Sequence, residues 1–276
     1  MNDSTTRKNS KSVTLSEPDI DSLADRVLQA QDAATPIGKL TLDYPDMTIA
    51  DGYEVQKALR ARWVARGERV LGFKAGLTSR AKMEQMGVDA PGFGILTSAM
   101  ARPENSAISV TDLIHPRVEA ELAFMMKDEL SGSAVSVDDV LAATDYVIPA
   151  LEIIDSRFEQ FKFDLESVIA DNCSSARFVT GGRPMNVDQL DDLRTLGVVI
   201  EKNGNIEEMA ATAAVLNHPA NAIIEIVRHL HAHGESLPAG SLILTGGVTA
   251  AIPAAAGDSM VARYQHLGSI SVRFVV

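Results

Sequence analysis

Between Ser16 and Gly67 the apolar residues fall at helical spacing, and beyond Gly67 they fall mostly into short runs. Ile20, Leu23, Ala24, Val27 and Leu28 share one face of an expected helix. Ser16 can cap its start, Pro18 suits the first turn and Asp19 can complete a capping box. Pro36 and Gly38 break the chain. A second helix is expected from Thr48, with Asp51 three residues on, to about Gly67. Tyr53, Gln56, Leu59, Arg60 and Trp63 lie on one of its faces. A short helix from Ser79 to Met86 would end at Gly87.

The runs beyond Gly67 read as strands. They are VLGFKAG (70–76), PGFGIL (91–96), PRVEAELAFMM (116–126), VIPALEII (147–154) and SLILTGG (241–247). VVIEKNGNIEEM (198–209) is a hairpin, because Asn203-Gly204 is the turn that a two-residue hairpin prefers. MVARYQ and SISVRFVV follow a Gly257-Asp258 turn as two more strands. One helix interrupts this region, capped by Asn217, with Pro219 in its first turn and Gly234 at its end. It presents Ile223, Ile226, Val227 and Leu230 to a core. His229, His231 and His233 stand near its C-terminus at a spacing of two and read as solvated cations suited to the helix dipole. The expected plan is α+β: a polar disordered tail (1–14), a small helical part (15–68), and a mixed, mainly antiparallel β-rich body (69–276).

Two glutamates interrupt the apolar pattern. In a strand, Glu119 and Glu121 point to one face about 7 Å apart, while Val118, Ala120, Leu122 and Phe124 point to the other. Glu152 lies inside the apolar run Ala150-Leu151-Glu152-Ile153-Ile154. Buried charges need a partner or a metal, and all-oxygen ligands suit a hard divalent ion such as Mg²⁺ or Mn²⁺. The alternative is a solvent-facing edge strand for Glu119 and Glu121, with Glu152 paired to Arg157. Lys74 sits between Gly72 and Gly76, where a ligand can approach the backbone. It is either an acid–base or carboxylate-holding group or a surface lysine. Asp171-Asn172-Cys173-Ser174-Ser175-Ala176-Arg177 is a dense polar run, able to donate hydrogen bonds to a substrate or simply to form turns. Gly246-Gly247 lacks the surroundings of a phosphate loop.

Composition narrows the classes. The 276 residues are 46% apolar and carry a net charge of -12, so nucleic acid is not an expected partner. No run reaches the roughly 18 apolar residues of a membrane span. The N-terminus has no apolar stretch typical of a secretory signal. Cys173 is the only cysteine, which excludes an internal disulfide and fits a reducing cytoplasm. It reads as a packing residue.

Several long segments occur together in order: DYPDMTIADGY, GFKAGLTSRAKMEQMGVD, HPRVEAELAF, ALEIIDSR, ADNCSS, LNHPANA and AGDSMVARYQHLGSISVRF. In these the chain resembles the 2-keto-4-pentenoate hydratase / 2-oxo-3-hexenedioate decarboxylase family of the fumarylacetoacetate hydrolase superfamily, from about residue 15 to the C-terminus. The resemblance implies a distorted β-barrel or β-roll body, homo-oligomers and a Mg²⁺ or Mn²⁺ ion. It places Glu119, Glu121 and Glu152 as metal ligands, Lys74 as the active-site lysine, and Ser174 or Ser175 against the substrate.

The same resemblance implies one of two activities. Hydratases of the family typically carry an acid in a P-D-F-G pattern, and here Gly92 replaces it in Pro91-Gly92-Phe93-Gly94. The runs 155–165 and 175–182 resemble the decarboxylase branch, in which Arg177 stands where hydratases tend to have glycine. The expected reaction is therefore decarboxylation of 2-oxo-3-hexenedioate to 2-hydroxypenta-2,4-dienoate and CO₂, in meta-cleavage degradation of aromatic compounds. Arg177 and Lys74 would orient carboxylates, and Asp89 would contact substrate. A complex with the pathway hydratase is also implied. Hydration of 2-hydroxypenta-2,4-dienoate is the alternative. A fumarylacetoacetate-type C–C hydrolase ranks lower, since His115 is the only histidine near the glutamate strand in sequence.

Overall fold

A computed structural model of the chain describes residues 12–79, Met83 and 91–276. Most of the expected helix at Ser79–Met86, and the candidate Asp89, fall outside the described residues. Helix α1 (Glu17–Asp32) starts where Ser16 accepts a hydrogen bond from the Asp19 amide. Helix α2 (Ile49–Ala65) starts with a capping box between Thr48 and Asp51. Asp51 also accepts hydrogen bonds from the backbone amides of Thr14 and Leu15, which ties the end of the expected tail to this helix. Arg62 of α2 bonds Asp25 and Asp21 on α1 and holds the two helices side by side.

The strands are β1 (Val70–Gly76), β2 (Gly92–Thr97), β3 (Ala101–Arg102), β4 (Ala107–Ser109), β5 (Arg117–Met126), β6 (Thr144–Ile154), β7 (Ser175–Thr180), β8 (Gly197–Lys202), β9 (Asn205–Ala211), β10 (Leu242–Gly247), β11 (Ile252–Pro253), β12 (Ser259–Tyr264) and β13 (Gly268–Val275). One sheet has the order β2-β1-β10-β5-β6-β7-β3, with β11 added beside β5. The second has the order β4-β13-β12-β8-β9. Most pairings are antiparallel, as expected, but β1–β10, β3–β7 and β4–β13 are parallel. The Asn203-Gly204 turn has positive φ at both residues (54° and 81°) and closes the β8–β9 hairpin.

The first sheet is covered on both faces. From β5, Val118, Ala120, Leu122 and Phe124 enter a core with Met260, Val272, Ile223 and Val227. On the other face, Ala123, Ala150 and Leu244 pack with Leu23, Val27, Leu59 and Trp63 of the two N-terminal helices. This second cover is why β5 does not have the exposed face of an ordinary edge strand.

Three expectations need correction. The late helix, Pro219–Ala232, is capped by the His218 ring, which accepts from the Ala220 amide, and not by Asn217, which has left-handed φ just before it. Short helices also form at α3 (Val137–Ala142) and α4 (Leu165–Ala170), and the late helix is therefore α5. These two are each six residues long, too short to show helical periodicity. The histidines are not all solvated cations. His229 and His233 lie one turn apart with ring centroids 4.5 Å from each other, and His229 packs at 4.2 Å from Tyr53 and 5.1 Å from Phe93. Burial pushes His229 down to about 4. Among the described residues, no helix is long and apolar enough to cross a membrane.

Candidate metal centre

The centre is built from strand register. Glu119 lies directly opposite Glu152, and Glu121 opposite Ala150, so all three glutamates share the face that the N-terminal helices cover. Glu119 is 5% exposed, and Glu121 and Glu152 are 0% exposed, which removes the solvent-face alternative. One carboxylate oxygen from each lies within 4.8 Å of the others. Glu121 Oε1 and both Glu152 oxygens have no hydrogen-bond partner among the described residues, although they are fully buried. Buried carboxylate oxygens without donors are costly unless a cation supplies the missing attraction.

Lys74 supplies part of it. β1 places its side chain on the same face, and Nζ lies 2.9 Å from Glu152 Oε2. This contact is an ion pair without the alignment of a hydrogen bond. Nζ also donates to the Cys173 carbonyl at 3.2 Å. Burial alone would lower the Lys74 pKa, but Glu152, Glu121 and Glu119 outweigh it and hold the ammonium above its usual range. Burial, followed by repulsion from Glu152, raises Glu121 well above the ordinary carboxylate value, with Lys74 opposing. Among the described residues, Lys74 thus faces the buried carboxylates of Glu121 and Glu152, whose mutual repulsion a divalent ion would offset.

The residues missed by sequence reasoning are mostly those that shape this pocket. The Gly246 amide donates to Glu121 Oε2 at 2.7 Å. Gly246 has φ of +104°, and a Cβ there would lie 2.1 Å from Thr78 Oγ1. A Cβ on Gly247 would lie 2.9 Å from Glu119 Cδ. The glycine pair at the end of a buried strand was the available signal. Tyr264 donates its hydroxyl to the carbonyls of Glu121 and Ala150, at 2.8 and 2.9 Å, and so braces β5 against β6.

The polar run forms a strained turn. Asn172, Cys173 and Ser174 all have positive φ, between 51° and 60°. Asn172 fixes the turn to β2 by accepting from the Ile95 amide at 2.7 Å and donating to the Ile95 carbonyl at 2.9 Å. Arg157 anchors its start through Asp171 and donates to the carbonyls of Asp155, Asp171 and Ser175. Arg157 therefore pairs with Asp171 and not with Glu152. The turn aims the Cys173 carbonyl at Lys74. The Cys173 thiol itself is buried, donates to the Phe93 carbonyl at 3.3 Å, and is pushed up to about 12 by burial.

A cavity of about 450 Å³ opens beside the cluster, lined by Lys74, Arg117, Glu119, Phe161, Lys162 and Ser174 among others. The Ser174 and Ser175 hydroxyls are buried without hydrogen-bond partners among the described residues. Arg177 is not brought to the site. It lies opposite Ile153, so it points to the sheet face away from Glu152. Arg102 and Asp112 are among its charged neighbours there. The sequence placed it in a polar run, but the run becomes β7 at Ser175, and strand alternation then turns Arg177 away.

Comparison with known proteins agrees with this architecture. The fumarylacetoacetate (FAA) hydrolase C-terminal family matches residues 72–275. A 4-oxalocrotonate decarboxylase of Pseudomonas sp. (strain CF600) is 52% identical over 95% of this chain and 99% of its own. A 2-oxo-hept-4-ene-1,7-dioate hydratase of Escherichia coli is 39% identical over 92% of this chain and 97% of its own. The solved 4-oxalocrotonate decarboxylase from Pseudomonas putida G7, complexed with magnesium and adipate, superposes with a TM-score of 0.94 at 48% identity, over 96% of this chain and all of that one. With an α+β body, a family match over most of its length and relatives this similar end to end, the chain belongs to the fumarylacetoacetate hydrolase family.

Proposed function

We propose that the protein is a carboxy-lyase that converts 2-oxo-3-hexenedioate to 2-hydroxypenta-2,4-dienoate and CO₂ with Mg²⁺, or Mn²⁺ in its place. The observation that carries this reading is the buried cluster of Glu119, Glu121 and Glu152, in which Glu121 Oε1 and both Glu152 oxygens lack donors among the described residues, in a chain 52% identical to a 4-oxalocrotonate decarboxylase. The donor set fits a hard divalent ion, because every ligand atom offered is an oxygen. Bound there, the ion would supply Lewis acidity to a 2-oxo acid.

The chain's own residues do the rest. Glu119, Glu121 and Glu152 would hold the ion, and Lys74 offsets repulsion within the cluster. Ser174 offers a hydroxyl to the substrate from the cavity wall. In the reaction the C5–C6 bond breaks, its electron pair moves through the conjugated double bond to the C2 oxygen, and CO₂ leaves. One proton ends on that oxygen. Gly92 leaves the site face of β2 without an acid, which keeps a proton donor away from the carbon that loses CO₂. The substrate belongs to meta-cleavage degradation of aromatic compounds, and the reading places the enzyme in the cytoplasm. A homo-oligomer is supported by β9, an exposed edge strand that shows Ile206 and Met209 at 58% and 65% exposure. A complex with the hydratase that consumes the product fits the same chemistry.

Purified protein mixed with 2-oxo-3-hexenedioate should release CO₂ with Mg²⁺ and not after chelation. Hydration of 2-hydroxypenta-2,4-dienoate without CO₂ release would instead favour the hydratase, which the Escherichia coli relative represents.

A further inference from the structure

The cavity beside the cluster holds a second site whose chemistry the glutamates do not explain. Among its described lining residues the cations are Lys74, Arg117 and Lys162. Lys74 is committed to Glu152. Lys162 is exposed and bonds Gln160. Arg117 is half-buried and makes no ion pair among the described residues. Its guanidinium carbon stands 4.7 Å from the centroid of Phe161. The His115 ring packs on the same Phe161, at 4.9 Å between centroids. A guanidinium fixed on an aromatic platform keeps its donors free for a planar anion.

Phe161 is held there at a conformational cost. Gln160 and Phe161 both have left-handed φ, 56° and 59°. Two such residues in succession persist only where their surroundings enforce them, and they concentrate at ligand-binding positions. The turn between Phe158 and Lys162 is closed by hydrogen bonds from the Phe161 and Lys162 amides to the carbonyls of Phe158 and Glu159.

Arg117 is two residues before Glu119 in β5, so the two point to the same face about 7 Å apart along the strand. A six-carbon chain, with five bonds near 1.5 Å, reaches roughly 6 Å end to end when extended. An acid held at its 2-oxo end by the glutamate cluster therefore brings its far end toward Arg117.

We propose that Arg117, stacked on Phe161 and with Lys162 lining the same cavity, receives the second carboxylate of a dicarboxylic 2-oxo acid. This assignment rests on the carboxy-lyase reading and gives Arg117 the role that Arg177 cannot fill from the other face of the sheet. The carboxylate held by Arg117 is the one lost as CO₂. Its charge departs as the bond breaks, so the ion pair favours bound substrate at least as much as the transition state. Arg117 thus selects dicarboxylates and sets KM, and it contributes little to kcat.

The test compares two Mg²⁺-dependent ligands in calorimetric titrations of wild type, Arg117→Gln and Arg117→Lys. Adipate spans both ends, and pyruvate reaches only the glutamate end. In Arg117→Gln, adipate affinity should fall about tenfold to a hundredfold, as for one hydrogen bond to a charged group, with pyruvate affinity unchanged. Arg117→Lys should recover part of the loss, and KM for 2-oxo-3-hexenedioate should follow adipate while kcat holds. Equal loss of both ligands would overturn the assignment in favour of a general structural role. No change in either would overturn it outright. Absence of CO₂ release by wild type, with the adipate loss still seen in Arg117→Gln, would sink the reaction and leave the carboxylate subsite standing.

Discussion

The Lys74 ammonium lies 2.9 Å from Glu152 Oε2, and neither side chain reaches solvent. The pair is not isolated, because Glu119 and Glu121 share the face and repel Glu152 and each other. Among the described residues, Lys74 is the cation beside this cluster. Repulsion between the buried carboxylates of Glu121 and Glu152 strains the site electrostatically, and a divalent ion would relieve the strain.

Lys74→Met should expose that strain. Removing one member of a buried pair costs about 3–5 kcal/mol, and here the remaining carboxylates repel more strongly as well. Thermal melts of the metal-free variant should show a clear loss relative to wild type. Addition of Mg²⁺ should raise its melting temperature by more than it raises that of wild type. An unchanged metal-free melting temperature would show that the pair carries no stabilising weight.

Glu121→Gln should weaken Mg²⁺ binding sharply, since it removes a ligand that the Gly246 amide and Tyr264 position. The wild-type affinity should also depend on pH. Glu121 holds its proton to higher pH than its ordinary value of 4.5, because burial and Glu152 disfavour the charged form. The ion must displace that proton, so Mg²⁺ affinity rises as pH rises above the usual carboxylate range. Titrations at several pH values check the slope, and unchanged Mg²⁺ dependence in Glu121→Gln would reject the ligand assignment.

The strands that carry the glutamates were legible because buried strands advertise themselves as apolar runs, and a charge inside such a run stands out. Glu152 is the clearest case. Arg177 was misplaced because nothing local marks where a turn ends and a strand begins, and one residue of register decides the face. Arg117 and Phe161 were passed over for a related reason. Arg117 looks like the ordinary cation that opens a strand, and its meaning depends on a ring 44 residues later in the chain, counting from 117 to 161. The roles of Gly246 and Thr78 come from close approach across long sequence separations, which periodicity does not encode.

Acid should destabilise the fold through His229. Its folded pKa is pushed from 6.5 to about 4 by burial, with His233 adding repulsion. Below pH 6.5 the unfolded chain takes up a proton that the folded ring resists, so stability falls as pH drops toward 4. A gap of about 2.5 pH units is worth about 3 kcal/mol at most. Asp171, raised to about 6 by burial, acts in the opposite direction over the same range. The informative quantity is therefore the difference between wild type and His229→Phe, which keeps the stacking on Tyr53 without titrating. Denaturant unfolding at pH 7.5 and 5 should show a smaller loss for the variant; equal losses would remove His229 from the account.

Asn172→Ala should cost about 2–4 kcal/mol, since it removes two hydrogen bonds to Ile95, leaves the buried Ile95 amide and carbonyl without partners, and puts alanine at φ of 51°. The turn would release the Cys173 carbonyl from Lys74, so activity should fall further than stability. Denaturation midpoints and CO₂ release on the same samples separate the two effects. Full activity in folded Asn172→Ala would show that the turn does not position Lys74.

Gly92 sets apart a steric and a chemical requirement. A Cβ there would sit 3.1 Å from Cys173 Sγ and 3.7 Å from Ile169 Cγ1, so even alanine is tight. Gly92→Asp adds crowding of about 1–3 kcal/mol and also places an acid on the same strand face as Lys74. CO₂ release should drop in this variant, but crowding alone would give the same result. Cys173→Ala removes the sulfur that crowds the new side chain and provides the control. The Gly92→Asp, Cys173→Ala double variant should regain thermal stability and Mg²⁺ binding without regaining CO₂ release, because the carboxyl group still repels the substrate's carboxylates or offers them a proton. Recovery of both together would mean that Gly92 is required for space alone and that the missing acid has no part in choosing the reaction.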